Sequence, residues 1–147
     1  MKLVVDTNIL FSFFKKESFT RKLIIDSSLE LISPEVALKE LQKYSKELSI
    51  KSKISKEDFD YMFSLLKEHV EFVPLYVYKS EFKASLKIAE KFSKNDVEEF
   101  LDDIDFFALA SKERCSIWSK DTLFKKQSII TVFNTTELTK HFRLHKL

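Results

Sequence analysis

Short β-branched apolar runs alternate with amphipathic helical segments along this chain, and that alternation limits its fold more than any other feature. Lys2–Val5 carries the uninterrupted Leu-Val-Val of a short buried strand. Further strands are expected at 29–32, at 70–75 where Pro74 interrupts the run, at 116–119 and at 129–132. Helices fill the intervals. The first starts at Thr7 or Asn8 and runs through Phe14, and the second covers 19–27. Ser33-Pro34-Glu35 reads as a helix entry, with Ser33 as N-cap and Pro34 in the first turn. That third helix places Ala37, Leu38, Leu41, Tyr44 and Leu48 on one face. A fourth begins at Ser55 with Phe59, Met62, Phe63 and Leu66 inward, and a fifth runs over 79–92. One turn at 96–100 precedes a helix over 103–112, and Thr135 or Thr136 caps the last helix. Strands and helices in alternation predict an α/β fold with a parallel sheet. With no repeat or linker, the 147 residues read as one domain.

Composition closes several routes. Glycine is absent, so neither a P-loop nor a dinucleotide-binding turn can be built. Phosphate chemistry must then run through side chains or a metal. Basic and acidic residues number 25 and 23, too even to argue for nucleic-acid binding from net charge. The lone Cys115 rules out an internal disulfide and a cysteine zinc site, and fits a buried strand position in a cytoplasmic protein. Asp6 breaks the first apolar run too early for a signal peptide, and no stretch approaches the ~20 apolar residues of a membrane span.

Four acids stand where elements of such a sheet should meet: Asp6, Glu40, Asp103 and Asp121. An open α/β sheet gathers its ligand groups at strand ends. Two carboxylates ~4 Å apart repel by about 4 kcal/mol at an effective dielectric of ~20, so convergence would call for a divalent cation. Each acid also has a local structural reading. Asp6 can cap the helix that follows, Glu40 can pair with Lys43, and Asp121 can cap a turn. Asp103 stands among Asp96, Glu98, Glu99, Asp102 and Asp105, which suit a helix N-terminus. The aromatic pair Phe106 and Phe107 on its downstream helical face singles Asp103 out, with Asp102 in reserve.

Taken in order, VVDTNIL, PEVALKEL, DIDFFALA and WSKDTLF resemble the PIN-domain family of metal-dependent nucleases, and with the closing NTTEL its prokaryotic VapC-like ribonuclease branch. The resemblance covers essentially the whole chain. It implies a Rossmann-like sheet of about four to five parallel strands flanked by helices, with a helical pair between the second and third acidic motifs. It also implies one or two Mg²⁺ or Mn²⁺ ions bound by Asp6, Asp103 and Asp121, with Glu40 orienting water or completing a second ion site. Thr7, Asn8 and Ser119 would position these groups. The implied activity is hydrolysis of RNA phosphodiester bonds, the implied setting a toxin held by an antitoxin protein, and the implied assembly a homodimer. The alternatives are a non-catalytic binding module on the same fold and a nuclease acting on structured DNA.

Two further patterns have bland readings. Lys79, Lys83, Lys87 and Lys91 form a stripe that could track a phosphate backbone, or simply a solvated face opposite Phe82, Leu86 and Ala89. His141 and His145 have ligand spacing without an HExxH context and read as a surface pair; His69 reads as structural.

Overall fold

The computed structural model describes residues 1–26 and 28–142. Five parallel strands form one sheet: β1 (Lys2–Val5), β2 (Glu30–Pro34), β3 (Val70–Val73), β4 (Ser116–Trp118) and β5 (Val132–Phe133). Their order is β3-β2-β1-β4-β5, with Leu3 opposite Leu31 on one side and Ser116 on the other. The chain first winds outward from β1 through β2 to β3, then crosses to β4 on the other flank. That reversal places a crevice beyond the carboxyl ends of β1 and β4.

Helices α1 (Thr7–Ser12) and α2 (Phe19–Asp26) join β1 to β2, and α3 (Glu35–Lys43), α4 (Ser45–Lys51) and α5 (Lys56–His69) join β2 to β3. The return to β4 runs through α6 (Leu75–Tyr78), a 3₁₀ turn at Lys79–Glu81, α7 (Phe82–Ala89), α8 (Lys94–Asp102) and α9 (Ile104–Glu113). A second 3₁₀ turn at Thr122–Lys126 leads to β5, followed by α10 (Thr135–Phe142). Helix α9 covers β1, β2 and β4, and every residue from Phe106 to Ala110 is buried. Around it Phe92, Phe100, Phe107 and Phe124 pack ring to ring at centroid distances of 4.7 to 4.9 Å. Each fully buried Phe contributes roughly 1.5–3 kcal/mol by leaving water, so this aromatic layer fixes where α9, and hence Asp103, lies. No helix among the described residues is long and apolar enough to cross a membrane.

Several expected boundaries move, each for a visible reason. Ser33 does not cap α3; it lies within β2, fully buried, and its hydroxyl donates to the Val5 carbonyl at 2.8 Å. Pro34 takes the cap position with extended backbone. The expected single helix through Leu48 breaks at Tyr44 (φ −101°, ψ 12°) into α3 and α4. The run at 70–75 ends as strand at Val73, and Leu75 opens α6 half-exposed. Helix α7 buries Ser85, Ile88 and Ala89, whereas Leu86 is 49% exposed. The preceding 3₁₀ turn, with three residues per turn instead of 3.6, shifts the phase of the face. The single turn expected at 96–100 is the nine-residue α8. At 129–132 the buried Gln127 side chain intervenes, bonding both N–H and C=O of Ile130. The bend it holds delays β5 to Val132 and leaves Ile129 61% exposed. Asn134, not Thr135 or Thr136, caps α10, exchanging bonds with Glu137 in a capping box. Thr135 instead accepts a 3.1 Å bond from the Trp118 indole. Cys115 lies just before β4, half-buried, not within it.

Without glycine, the chain ends two helices on left-handed residues that carry side chains, Lys53 (φ 55°) and Arg114 (φ 52°). Both form the paired closing bonds of a Schellman turn: Lys53 and Ile54 N–H to Ile50 and Ser49 O, and Arg114 and Cys115 N–H to Ser111 and Ala110 O.

Candidate functional site

Asp6 leaves the end of β1 with its peptide held from both neighbouring strands. Its own N–H donates to the Trp118 carbonyl of β4 at 3.0 Å, and Ser33 of β2 holds the carbonyl of Val5 just before it. The Asp6 carboxylate is 4% exposed. One oxygen accepts from the Thr7 N–H at 2.7 Å and the other from the Ser119 hydroxyl at 2.7 Å. The Ser119 hydroxyl in turn accepts from the Asp121 N–H at 3.0 Å, and Asp121 Oδ1 accepts from Leu123 N–H at 3.0 Å. One buried hydroxyl thus joins the exits of β1 and β4 and fixes both acids. Asp6 and Asp121 both cap the turns that follow them, as their local structural reading expects.

Asp103 arrives from the other side, in the single residue between α8 and α9, with φ −106° and ψ 12°. It caps neither helix with its side chain. Half-buried and without a hydrogen bond to a described residue, its carboxyl is pushed up to about 7, first by desolvation and then by the charges of Asp6, Asp121, Glu40 and Asp102. Asp6 is raised to about 6, chiefly by burial, with Asp121 and Glu40 adding to it and the bonds from Ser119 and Thr7 opposing. Asp6 and Asp103 therefore each sense the charges of Asp121 and Glu40 at the crevice beyond β1 and β4.

Glu40 occupies the rim, on the second turn of α3. Although the residue as a whole is exposed, desolvation of its carboxylate raises its proton affinity, against the lowering influence of Thr7 and Lys43. The buried Thr7 hydroxyl makes no bond of normal geometry, although it lies close enough to affect Glu40. Lys43 sits over the Tyr44 ring at 5.4 Å, so the expected Glu40–Lys43 contact is no direct ion pair. Asn8 is exposed beside Thr7. Asp102 is exposed and reaches the group only through its charge on Asp103. Asp105 has a structural role instead, accepting a 2.6 Å bond from the buried Tyr78 hydroxyl. The Lys79, Lys83, Lys87 and Lys91 side chains are exposed, and the His141 ring lies tilted against Phe133 at a centroid distance of 5.1 Å. His145 lies outside the described residues, as does Ser27 at the end of the second expected helix.

The donor set is all oxygen, which suits a hard divalent cation. No three His, Cys, Asp or Glu side chains among the described residues stand close enough together to hold one ion directly. The arrangement therefore fits an ion that takes one or two carboxylates and completes its shell with water, as Mg²⁺ commonly does. Among the described residues Asp103 has no cation or donor to offset its charge, and that deficit is the feature a metal would satisfy.

Two supporting residues escape sequence reasoning. Ser33 looks like a cap and is a brace for β1. Lys120, whose ammonium donates to Ser12 Oγ at 3.2 Å, lies near Asp6 without pairing with it; only its place between Ser119 and Asp121 hints at this.

The PIN-domain model matches residues 4–143. The chain belongs to the PIN-domain family. One solved structure similar to this PIN domain is VapBC2 from Rickettsia felis bound to a DNA fragment from their promoter. It shares 17% identity and a TM-score of 0.58, over 91% of this chain and 98% of that one. At that identity the likeness concerns the fold. No curated protein matches the PIN domain at a significant level.

The Ser119 hydroxyl bond favours the ionised form of Asp6, so Ser119→Ala should raise the Asp6 midpoint further, by about one unit. A carbon-13 NMR titration of the side-chain carboxyl in metal-free protein reads this directly. An unchanged midpoint would mean that the bond does not hold the carboxylate.

Proposed function

We propose that this PIN domain is a Mg²⁺- or Mn²⁺-dependent endoribonuclease and that its biological setting is the toxin of a toxin–antitoxin pair. The observation that carries the nuclease reading is the uncompensated charge of Asp103 among Asp6, Asp121 and Glu40. Asp6, Asp103 and Asp121 are the residues that would hold the cation, directly or through water. When bound, such an ion supplies a nucleophilic water at neutral pH and offsets charge on the phosphoryl oxygens. Ser119 and the Thr7 N–H keep the Asp6 oxygens in fixed directions. The Leu123 N–H does the same for one oxygen of Asp121. Glu40, on the rim with an elevated proton affinity, is suited to orient a water and accept its proton. The family membership and the fold shared with a chain of the VapBC2 structure support the toxin setting and an antitoxin partner.

The wide spacing of the carboxylates favours one other reading, a non-catalytic module on the same fold. A single assay separates the two. Purified protein should cleave labelled single-stranded RNA in Mg²⁺ or Mn²⁺ and lose that activity in excess chelator. Equal cleavage with and without chelator would remove the metal from the reading. Inactivity in both, on RNA and structured DNA alike, would favour the binding module.

A further inference from the structure

Beside the acids lies a cavity of opposite charge. It measures about 600 Å³, and Lys15, Lys16, Lys51, Lys53 and Lys120 line it without a single acidic residue. Its wall also includes Asn8, two residues after Asp6, and Lys120 itself immediately precedes Asp121. The cavity therefore adjoins the carboxylates through both strand exits. A narrower cleft of about 230 Å³ opens alongside, sharing Phe11, Leu48 and Lys51 and adding Tyr44 and Glu47.

Lysines gathered in a concave site repel one another unless an anion offsets them. Of these five lysines, only Lys51 has an ion pair with a described residue, a 3.5 Å contact with Glu47 on its own helix. Lys53 stands on the wall in a left-handed conformation that is strained for a residue carrying a side chain. In a chain whose charges nearly balance, the acids and these lysines lie side by side without neutralising one another.

The adjoining cleft supplies a different surface. Phe11 and Tyr44 meet edge to face at 6.5 Å, and Tyr44 is 41% exposed. Tyr44 N–H donates to the Glu40 carbonyl at 3.1 Å, so the ring lies one helical turn beyond the rim acid. A charged groove flanked by aromatic rings is how proteins hold unpaired strands, whose bases are free to stack. The Lys79, Lys83 and Lys87 stripe lines neither this cavity nor the adjoining cleft.

We infer that this cavity binds the phosphate backbone of single-stranded RNA, with one base in the Phe11–Tyr44 cleft, and leads the strand to the four acids. The inference rests on the ribonuclease reading and specifies its substrate path. Fluorescence anisotropy of a labelled single-stranded oligoribonucleotide, in chelator so that it stays intact, tests it. Replacing Lys15, Lys16 and Lys53 together by Gln should weaken binding at least tenfold at 0.1 M salt and lower the salt slope by about two, at ~0.7 per phosphate contact. Tyr44→Ala should weaken binding about five- to tenfold with the slope unchanged, as expected for a lost stacking platform. The same triple replacement at Lys79, Lys83 and Lys87 removes equal charge and should change neither quantity. Wild-type affinity and slope in the cavity triple variant would overturn the inference while leaving the nuclease reading to its cleavage assay. Equal losses in the two triple variants would overturn it too, because binding would then follow net charge. If the cavity triple variant alone loses binding but wild-type protein never cleaves RNA, the path stands and the nuclease reading fails. No measurable RNA binding by the wild type overturns the inference outright.

Discussion

Asp103→Asn is expected to abolish RNA cleavage and, in the same protein without metal, to raise thermal stability at pH 8. The two effects share one cause. The Asp103 carboxylate has no hydrogen bond to a described residue that the change would break, and an amide of the same shape removes a charge held among other carboxylates. Burial and the neighbouring charges push its folded carboxyl up to about 7, above the ordinary 3.8. Below the lower figure both states are protonated and the charge costs nothing. As pH rises toward 7 the unfolded chain ionises first, and wild-type stability falls relative to the Asn variant. Above 7 the difference reaches its plateau. Because Asp103 keeps some solvent contact, the gain should be about 1–2 kcal/mol, less than the full shift would give. For a chain of this size that is roughly 2–8 °C in the midpoint. Cleavage should fall by about 100-fold or more, since even residues behind a metal's direct ligands commonly matter 10–100-fold. Melting curves at pH 4 and pH 8 in chelator, beside a cleavage assay, check both halves. A variant less stable than wild type at pH 8 would contradict the electrostatic account.

Adding Mg²⁺ or Mn²⁺ should reverse that order. A ligand that binds only the folded state stabilises it by about 2.7 kcal/mol at a hundred times its dissociation constant. At pH 8 the wild type should therefore melt higher with metal, and Mn²⁺ should act at lower concentration than Mg²⁺, as expected for its tighter binding to comparable ligands. The gain should shrink as pH falls through about 7 and about 6, where Asp103 and Asp6 take up protons that compete with the ion. Asp103→Asn should lose most of it at every pH. A wild-type midpoint unmoved by saturating metal at pH 8 would exclude these acids as its site.

Much of this geometry is legible in local sequence. Leu-Val-Val followed by Asp-Thr-Asn places an acid at a strand exit, and Phe106 and Phe107 orient the start of α9, because both signals act within one or two turns. The relation between Ser119 and Asp6 is legible only as a possibility, since 113 residues separate them. Ser33 illustrates the limit. Its neighbours Pro34 and Glu35 are those of a cap, and only the adjacent β1 backbone offers its hydroxyl the carbonyl of Val5. The break at Tyr44 and the rotated face of α7 depend likewise on packing and on a 3₁₀ turn that no single-helix periodicity encodes. The lysine cavity is least legible of all. Its walls come from α1, α4 and the segment after β4, and net charge conceals it.

The left-handed ends of α4 and α9 bear on the unfolded chain as well as the folded one. A glycine at either position would relieve strain in the native turn, yet it would also give the denatured ensemble additional backbone freedom. With no glycine anywhere in its 147 residues, this chain gives up less conformational entropy on folding than an ordinary composition of the same length would. The strain at Lys53 and Arg114 is thus offset partly by a denatured state with fewer conformations to lose, and the crevice stands on a backbone with no glycine hinge.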